Sequence, residues 1–187
     1  VLKMKKSTNS GAPLFMKRRE VVNSTLNLLK SIIWHSSPGP RALGKCLMAV
    51  IGWRGQEGGP SEEDVKQRVV WMFPFVINVA ELQVYQPLIE ACQTANLVPA
   101  WVSMESVDER ITALFDTKAS DDLVVCTDFS RFDQHFNLDM QSASKSILSA
   151  VLTPSPESRN WLRNVFPVKY NIPLVVRYDD ATNSIVY

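Results

Sequence analysis

Two aspartates separated by four residues, Asp128 and Asp133, follow an apolar run in the segment VVCTDFSRFDQHFN. The run Leu123–Cys126 predicts a buried strand, which would place Asp128 at the C-terminal strand end, where α/β sheets commonly bind ligands. Mg²⁺ prefers oxygen ligands and usually takes one or two carboxylates together with waters and substrate phosphates. Asp128 is therefore a candidate metal ligand, although an aspartate at a strand end is also a common turn or helix-capping residue.

A small, polar loop near the N-terminus has the composition of a nucleic-acid contact. Residues 5–13 read KKSTNSGAP. Small residues let a nucleic-acid backbone approach closely, and successive amides and hydroxyls can donate hydrogen bonds to phosphate oxygens. The same residue types are ordinary in flexible linkers, so this composition leaves both interpretations open.

A third segment, residues 54–75, places basic side chains after a Gly-rich, acidic turn. It reads RGQEGGPSEEDVKQRVVWMFPF. Lys66 and Arg68 share one face of an extended chain because alternate residues of a strand point the same way. Arg68 is the best candidate for a phosphate contact, since a guanidinium can hold phosphate oxygens bidentately, and Arg54 is a candidate from the other arm. The alternative is a solvated cluster that balances the acidic residues Glu62, Glu63 and Asp64.

The string DFSRFD, residues 128–133, resembles motif A of viral RNA-directed RNA polymerases, and DFSRFDQHFN is most similar to the polymerases of picobirnaviruses and related double-stranded RNA viruses. The resemblance implies that Asp128 binds a catalytic metal, Mg²⁺ or Mn²⁺, with the backbone carbonyl of Phe129 as a further ligand. It implies that Asp133 reads the ribose 2′-hydroxyl, which can donate a hydrogen bond to a carboxylate.

The other two segments resemble further motifs of this family, in the order that the family uses. The segment Thr8–Pro13 resembles motif G, which implies template binding by Thr8, Asn9, Ser10, Gly11 and Pro13. The segment Arg54–Phe75 resembles motif F, which implies contacts from Lys66, Arg68 and Arg54 to the nucleotide triphosphate.

The resemblance also implies the architecture and the partners. The expected fold is α+β, with fingers over residues 1–120 and the beginning of the palm over residues 121–187. Expected partners are an RNA template, the nascent strand, nucleoside triphosphates and the viral capsid protein, in the virion interior and the host cytoplasm. No Ser-Gly-x-x-x-Thr-Asn or Gly-Asp-Asp string follows Asp133, so the 187 residues are expected to be an incomplete polymerase that is inactive alone. The alternative is a non-catalytic RNA-binding module, which needs neither aspartate.

A Tyr-Asp-Asp string at residues 178–180 resembles the metal-binding turn of reverse transcriptases. The flanking segments Ile172–Tyr178 and Ser184–Tyr187 are typical of strands, and the residues between them are typical of a turn, so the sequence predicts an ordinary hairpin. An aspartate at position 133 also disfavours reverse transcription, because it suits ribonucleotide selection.

Composition excludes several other classes. A net charge of +1 gives no overall nucleic-acid signal, although basic residues gather near the N-terminus. Three cysteines without a C-x-x-C pair predict reduced thiols and no zinc site. No signal peptide and no apolar run near the ~18 residues of a membrane span are visible, which predicts a soluble protein without membrane contact. The five tryptophans are expected to be structural.

The elements that must position these residues follow from hydrophobic periodicity and breakers. Helices are predicted over 21–36, 77–95, 106–115, 138–152 and 156–165, and strands over 46–53 and 69–75. The helix over 106–115 is expected to begin with a capping box from Ser106 to Glu109.

Overall fold

The structure is a computed structural model that describes the chain except for residues 2, 35–46, 57, 62, 63, 65, 131, 176, 180, 182, 183 and 187. It describes the backbone alone for residues 31–34, 56, 66, 67, 133, 134, 177–179 and 184–186. The helices are α1 (Arg18–Trp34), α2 (Phe75–Thr94), α3 (Met104–Thr117), α4 (Leu138–Val151), α5 (Pro156–Asn164) and α6 (Val168–Asn171), with 3₁₀ turns at Pro99–Trp101 and Phe132–His135. The strands are β1 (Ala49–Gln56), β2 (Lys66–Met72), β3 (Leu174–Val175), β4 (Arg177–Asp179) and β5 (Ser184–Val186). This mixture confirms the predicted α+β class.

β1 and β2 form an antiparallel hairpin, and β3 adds to the other edge of β1 in parallel, in the order β2-β1-β3. The sequence predicts β1 and β2. The predicted second strand covers 69–75, whereas β2 covers Lys66–Met72. Pro74 explains the earlier end, because a proline cannot donate to a strand ladder. Pro74 is fully buried, and α2 begins at the next residue.

The chain divides into two compact units, Val1–Glu81 with Ile147–Tyr187, and Leu82–Ser146. The core of the first unit is formed by one face of α1 and the first two turns of α2: Val21, Leu29, Phe75, Val76, Ile77, Val79 and Ala80. Five of the first six residues of α2 are apolar, which is the pattern of a helix that is covered on several sides. The predicted boundary at residue 120 between fingers and palm stays a prediction.

The N-terminal cap of α3 lies one turn before the predicted capping residue, Ser106. Its N-cap is Ser103, whose hydroxyl accepts a hydrogen bond from the backbone amide of Ser106 at 3.2 Å. The sequence Ser-x-x-Ser offers two hydroxyls at capping positions, and the one that follows the 3₁₀ turn Pro99–Trp101 becomes the cap. The pKa of Glu105, in the first turn, is lowered by two hydrogen bonds to its carboxylate. The larger effect comes from its own backbone amide and the smaller from the Ser103 hydroxyl.

The predicted strand at Leu123–Cys126 is not formed. Residues 122–129 are irregular, and the side chains of Leu123, Val124 and Val125 are 90%, 42% and 77% exposed. A strand needs a hydrogen-bonding neighbour, and in the part of the chain that the structure describes no strand pairs with this segment.

The hairpin predicted around the Tyr-Asp-Asp string is confirmed. β4 pairs with β5 in antiparallel register, with Tyr178 opposite Ile185. The predicted strand over 172–178 is divided, since β3 joins β1 whereas β4 belongs to the separate two-stranded sheet. Among the described helices, none combines the length and the apolar character that a membrane crossing requires.

Candidate functional site

The β1–β2 hairpin places two arginines directly opposite each other. Arg54 pairs with Arg68 in the antiparallel register, and both residues are exposed. Directly opposite residues point to the same face of a sheet, and like charges in that arrangement are mutually destabilising. Among the described residues neither arginine forms an ion pair. The pair is therefore suited to an anion that neutralises both charges.

Lys66, the third predicted triphosphate residue, begins β2 opposite Gln56. Its side chain lies outside the described part of the structure, as do Glu62 and Glu63, which belong to the alternative of a balanced charge cluster. The structure thus brings Arg54 and Arg68 together and gives a backbone position for Lys66.

The opposite face of the hairpin is apolar and exposed. Trp53 lies opposite Val69, and Ile51 lies opposite Trp71. The two tryptophans are 73% and 50% exposed, and Trp101 is also half exposed, so these three tryptophans are not core residues. Successive residues of a strand point to opposite faces, so the neighbours of each arginine along its strand lie on the face away from the arginines.

The N-terminal loop with the predicted template residues is closed by its own hydrogen bonds. Oδ1 of Asn9 accepts from the amide of Gly11 at 2.7 Å, and Nδ2 of Asn9 donates to the carbonyl of Phe15 at 2.8 Å. An isolated bridge joins Asn9 to Lys17. A loop closed in this way is not a flexible linker, and its role in template binding stays a prediction.

The loop packs on the junction between β2 and α2. Gly11 has a φ of +69°, and a Cβ there would lie 2.7 Å from the carbonyl oxygen of Phe73. The amide of Phe75 donates to the carbonyl of Ser10 at 2.9 Å. Only glycine allows both the left-handed backbone and this close approach.

Several of the predicted template residues use their polar groups inside the protein. The hydroxyl of Thr8 donates to the carbonyl of Lys5 at 3.2 Å. Ser10 is 3% exposed, and its hydroxyl accepts from the amide of Met16 at 3.2 Å. Pro13 is exposed. These contacts use the hydroxyl groups of Thr8 and Ser10 inside the loop, whereas Asn9 and Pro13 are exposed.

Arg18 is a residue that sequence reasoning did not single out. Its Nε donates to the carbonyl of Asn9 at 3.2 Å, and its Cζ lies 5.4 Å from the centroid of the Phe75 ring. Burial lowers the pKa of Arg18, although a guanidinium stays protonated in proteins. Arg18 therefore attaches the closed loop to α2. The basic stretch around it was visible in the sequence, but its contact with Phe75 was not.

Asp128 and Asp133 belong to the second unit. Oδ1 of Asp128 accepts from the amide of Phe129 at 2.8 Å, and the Phe129 side chain is 73% exposed. The Phe129 and Phe132 rings lie 5.8 Å apart between centroids. Asp133 lies in the 3₁₀ turn Phe132–His135, and its side chain is outside the described part of the chain.

The donor set around Asp128 fits part of a magnesium site. Mg²⁺ needs only one or two carboxylates when substrate phosphates and waters complete its shell. The Asp128 carboxylate is exposed, and its one described hydrogen bond uses Oδ1. Within the described residues, no three His, Cys, Asp or Glu side chains come together as a metal-binding group.

Comparison with known proteins identifies the relatives of this chain. Residues 2–172 match the family model described as viral RNA-dependent RNA polymerase. A protein of human picobirnavirus named as a potential RNA-dependent RNA polymerase is 55% identical over 186 residues, which is 97% of this chain and 34% of that protein.

Two crystal structures of the RNA-dependent RNA polymerase of a human picobirnavirus also match the whole chain at 50% identity. The TM-score is 0.77 for the polymerase and 0.78 for its insertion loop deletion mutant, and the match covers 36% of each. This likeness confirms the predicted fold as part of a polymerase. The chain spans about a third of the length of the relatives that it matches.

Proposed function

This chain belongs to the family of viral RNA-dependent RNA polymerases, and on that premise we propose that it contributes the nucleotide contacts, the template loop and one metal ligand of a picobirnavirus-type polymerase. The complete protein would catalyse template-directed nucleotidyl transfer with two metal ions. The observation that carries this proposal is the Arg54–Arg68 pair, two exposed cations that face one another without a described acidic partner.

The arginine pair suits a nucleoside triphosphate. Each guanidinium can hold phosphate oxygens bidentately, and a bound polyanion would offset the repulsion between the two charges. Lys66, at the start of the same strand, is the third proposed contact. These residues bind and orient the triphosphate.

Asp128, with the carbonyl of Phe129, would hold Mg²⁺ or Mn²⁺. Bound metal ions stabilise the charge on the attacking and leaving oxygens of a phosphoryl transfer. The role proposed for Asp133 is to accept a hydrogen bond from the ribose 2′-hydroxyl.

The closed loop Thr8–Pro13 is the proposed contact for the template strand. The loop exposes Asn9 and Pro13, and the adjacent Lys17 is exposed as well. Hydrogen bonds of Asn9 with Gly11 and of Ser10 with Met16 hold its backbone in shape. Phosphate contacts of this kind position a strand without reading its sequence. The nascent strand and the viral capsid protein are further proposed partners, in the virion interior and the host cytoplasm.

The test is the change Asp128→Asn in the full-length polymerase. We expect kcat for nucleotide incorporation to fall by about two orders of magnitude or more, because metal stabilisation of the transferring phosphoryl group is worth several kcal/mol. Affinity for template RNA, measured by fluorescence anisotropy, should stay unchanged.

Asp121→Asn is the matched control, since it removes an exposed carboxylate from the same unit. Incorporation by the Asp128 variant at the rate of the control would contradict the metal assignment. RNA binding without any incorporation by the wild-type protein would instead favour the non-catalytic module.

A further inference from the structure

Two aromatic rings flank the buried Pro74 at the junction between β2 and α2, and each ring lies against a cation. Nζ of Lys169 lies 4.8 Å from the centroid of the Phe73 ring. Cζ of Arg18 lies 5.4 Å from the centroid of the Phe75 ring. A cation within about 6 Å of an aromatic face is attracted by the ring quadrupole. The junction is therefore held by α1 on one ring and by α6 on the other.

A buried carboxylate holds Lys169 in place. Oε2 of Glu81 lies 2.5 Å from Nζ of Lys169, and Glu81 is 6% exposed. Burial raises the pKa of Glu81, while the hydrogen bond and the charge of Lys169 oppose that shift. Removing the Glu81 carboxylate from water costs free energy, and packed apolar side chains often stabilise such a place equally well. Stability alone is therefore a poor reason for this ion pair.

α5 and α6 are attached to α2 beside the ion pair. Nε1 of Trp161 donates to the carbonyl of Ala80 at 2.9 Å, and Trp161 is 4% exposed. The Phe166 ring connects Trp161 to Tyr170, with centroid distances of 6.2 Å and 5.6 Å. This packing places the backbone of Lys169, so that its long side chain extends past Glu81 to Phe73.

Phe73 is the residue at which β2 leaves the core. It follows the last residue of the strand, and its carbonyl accepts from Nδ2 of Asn78 at 3.4 Å. The same carbonyl lies against Gly11. A change in the position of Phe73 would therefore change the direction of β2, and with it the position of Arg68.

We propose that Lys169 and Glu81 are positioning residues for the incoming nucleotide. Glu81 holds Lys169, Lys169 holds the ring of Phe73, and Phe73 sets the direction in which β2 presents Arg68. This inference rests on the proposed function, because it takes β2 as the strand that contacts the triphosphate.

Three variants of the full-length polymerase test the proposal. Lys169→Met keeps most of the aliphatic side chain but removes the charge and leaves Glu81 buried without its partner. The double variant Lys169→Met, Glu81→Met removes both charges and keeps similar volumes, which restores an apolar interface. Lys169→Arg keeps a cation beside the Glu81 carboxylate and the Phe73 ring. Lys145→Met is the matched control, since Lys145 is exposed on α4.

The measurements are KM and kcat for nucleotide incorporation and the melting temperature. We expect Lys169→Met to lower the melting temperature and to raise the nucleotide KM by roughly three- to tenfold, the range of a partly desolvated cation–π contact. The double variant should recover the melting temperature but keep the raised KM, because the cation on Phe73 is still missing. Lys169→Arg should have a KM near that of the wild type.

Recovery of KM together with the melting temperature in the double variant would overturn the proposal, since it would reduce the pair to a structural role. A KM for Lys169→Met equal to that of Lys145→Met would overturn it as well.

Hydrogen exchange of the amides of Val69–Met72 separates this inference from the proposed function. Faster exchange at these amides in the double variant supports a loosened β2, whether or not the protein incorporates nucleotides. Unchanged exchange there overturns the positioning role. A wild-type protein without incorporation would contradict only the proposed function.

Discussion

Asp128 and Asp133 carry the same functional group in different local settings. The amide of Phe129 restrains the Asp128 carboxylate through Oδ1, whereas Asp133 lies in a 3₁₀ turn. A metal ligand must present a charged oxygen to the ion, while recognition of a ribose needs one acceptor in the right place. The two residues are therefore expected to fail in different ways when they are changed.

Asp133→Ala in the full-length polymerase should weaken sugar discrimination more than catalysis. We expect the ratio of kcat/KM for a ribonucleotide to that for its deoxyribonucleotide to fall by about ten- to a hundredfold, the equivalent of a hydrogen bond to a charged group. Single-nucleotide incorporation with both substrates measures this ratio. Asp133→Asn keeps an acceptor oxygen and should retain part of the discrimination. An unchanged ratio in the alanine variant would exclude Asp133 as the ribose contact.

Arg68→Ala should raise the nucleotide KM without destabilising the hairpin. We expect an increase of about tenfold or more, because a charge-assisted phosphate contact is lost. Removing one of two facing cations relieves repulsion, so the melting temperature should not fall. Steady-state incorporation kinetics and a thermal melt measure the two effects. Arg110→Ala, at an exposed position of α3, is the control, and an equal KM in both variants would contradict the triphosphate role.

At the scale of elements, the junction around Pro74 joins the two candidate binding segments. β2 leads into α2 there, and the closed loop packs on the same backbone through Gly11 and Ser10. Rigid placement of both segments is useful for a polymerase, because template and nucleotide must be held in register with each other. The loop should therefore be sensitive to changes that separate it from the junction.

Gly11→Ala tests this connection. The added Cβ would clash with the Phe73 carbonyl, and the positive φ is strained for alanine, at a cost of about 1–3 kcal/mol. We expect the Kd for template RNA to rise by roughly fivefold or more, the equivalent of about 1 kcal/mol. Fluorescence anisotropy with the full-length polymerase measures it. Gly52→Ala is the control, since its Cβ would meet only the flexible Met72 side chain; equal affinities in the two variants would contradict the prediction.

At the scale of the whole molecule, the second unit exposes much apolar surface. Besides Leu123 and Val125, it exposes Met104, Phe129 and Leu138 by 73%, 73% and 76%. Apolar side chains are stabilised when another protein segment covers them and removes them from water. The polymerases that this chain matches are about three times as long, so their remaining residues are sufficient to cover such a surface.

We therefore expect the amides of residues 123–125 to exchange more slowly in the full-length polymerase than in this chain alone. In the longer protein the segment can find a strand neighbour, and a hydrogen-bonded amide is protected. Hydrogen exchange with mass spectrometry compares the two proteins. The amides of Val69–Met72 serve as an internal reference, because β2 already pairs with β1. Equal exchange at 123–125 in both proteins would contradict this expectation.

The sequence by itself determined the features that depend on neighbouring residues. Hydrophobic periodicity and breakers were enough to predict α2, α4 and α5, and turn residues were enough to predict the β4–β5 hairpin, because these signals act over a few residues. The motif strings located the candidate site residues for the same reason, because each string is a run of neighbouring residues. The cap of α3 was misplaced by one turn because Ser103 and Ser106 offer equivalent hydroxyls, and the choice depended on the preceding 3₁₀ turn.

Only the tertiary structure decided the features that join distant parts of the chain. Glu81 meets Lys169, and Trp161 bonds to a carbonyl 81 residues away, with no local pattern that could predict either contact. Burial of Ser10 and exposure of Trp53 depend on what lies opposite them in space. The apolar run at 123–126 favours a strand locally, but a strand forms only when a neighbour supplies hydrogen bonds, and that neighbour is a property of the fold.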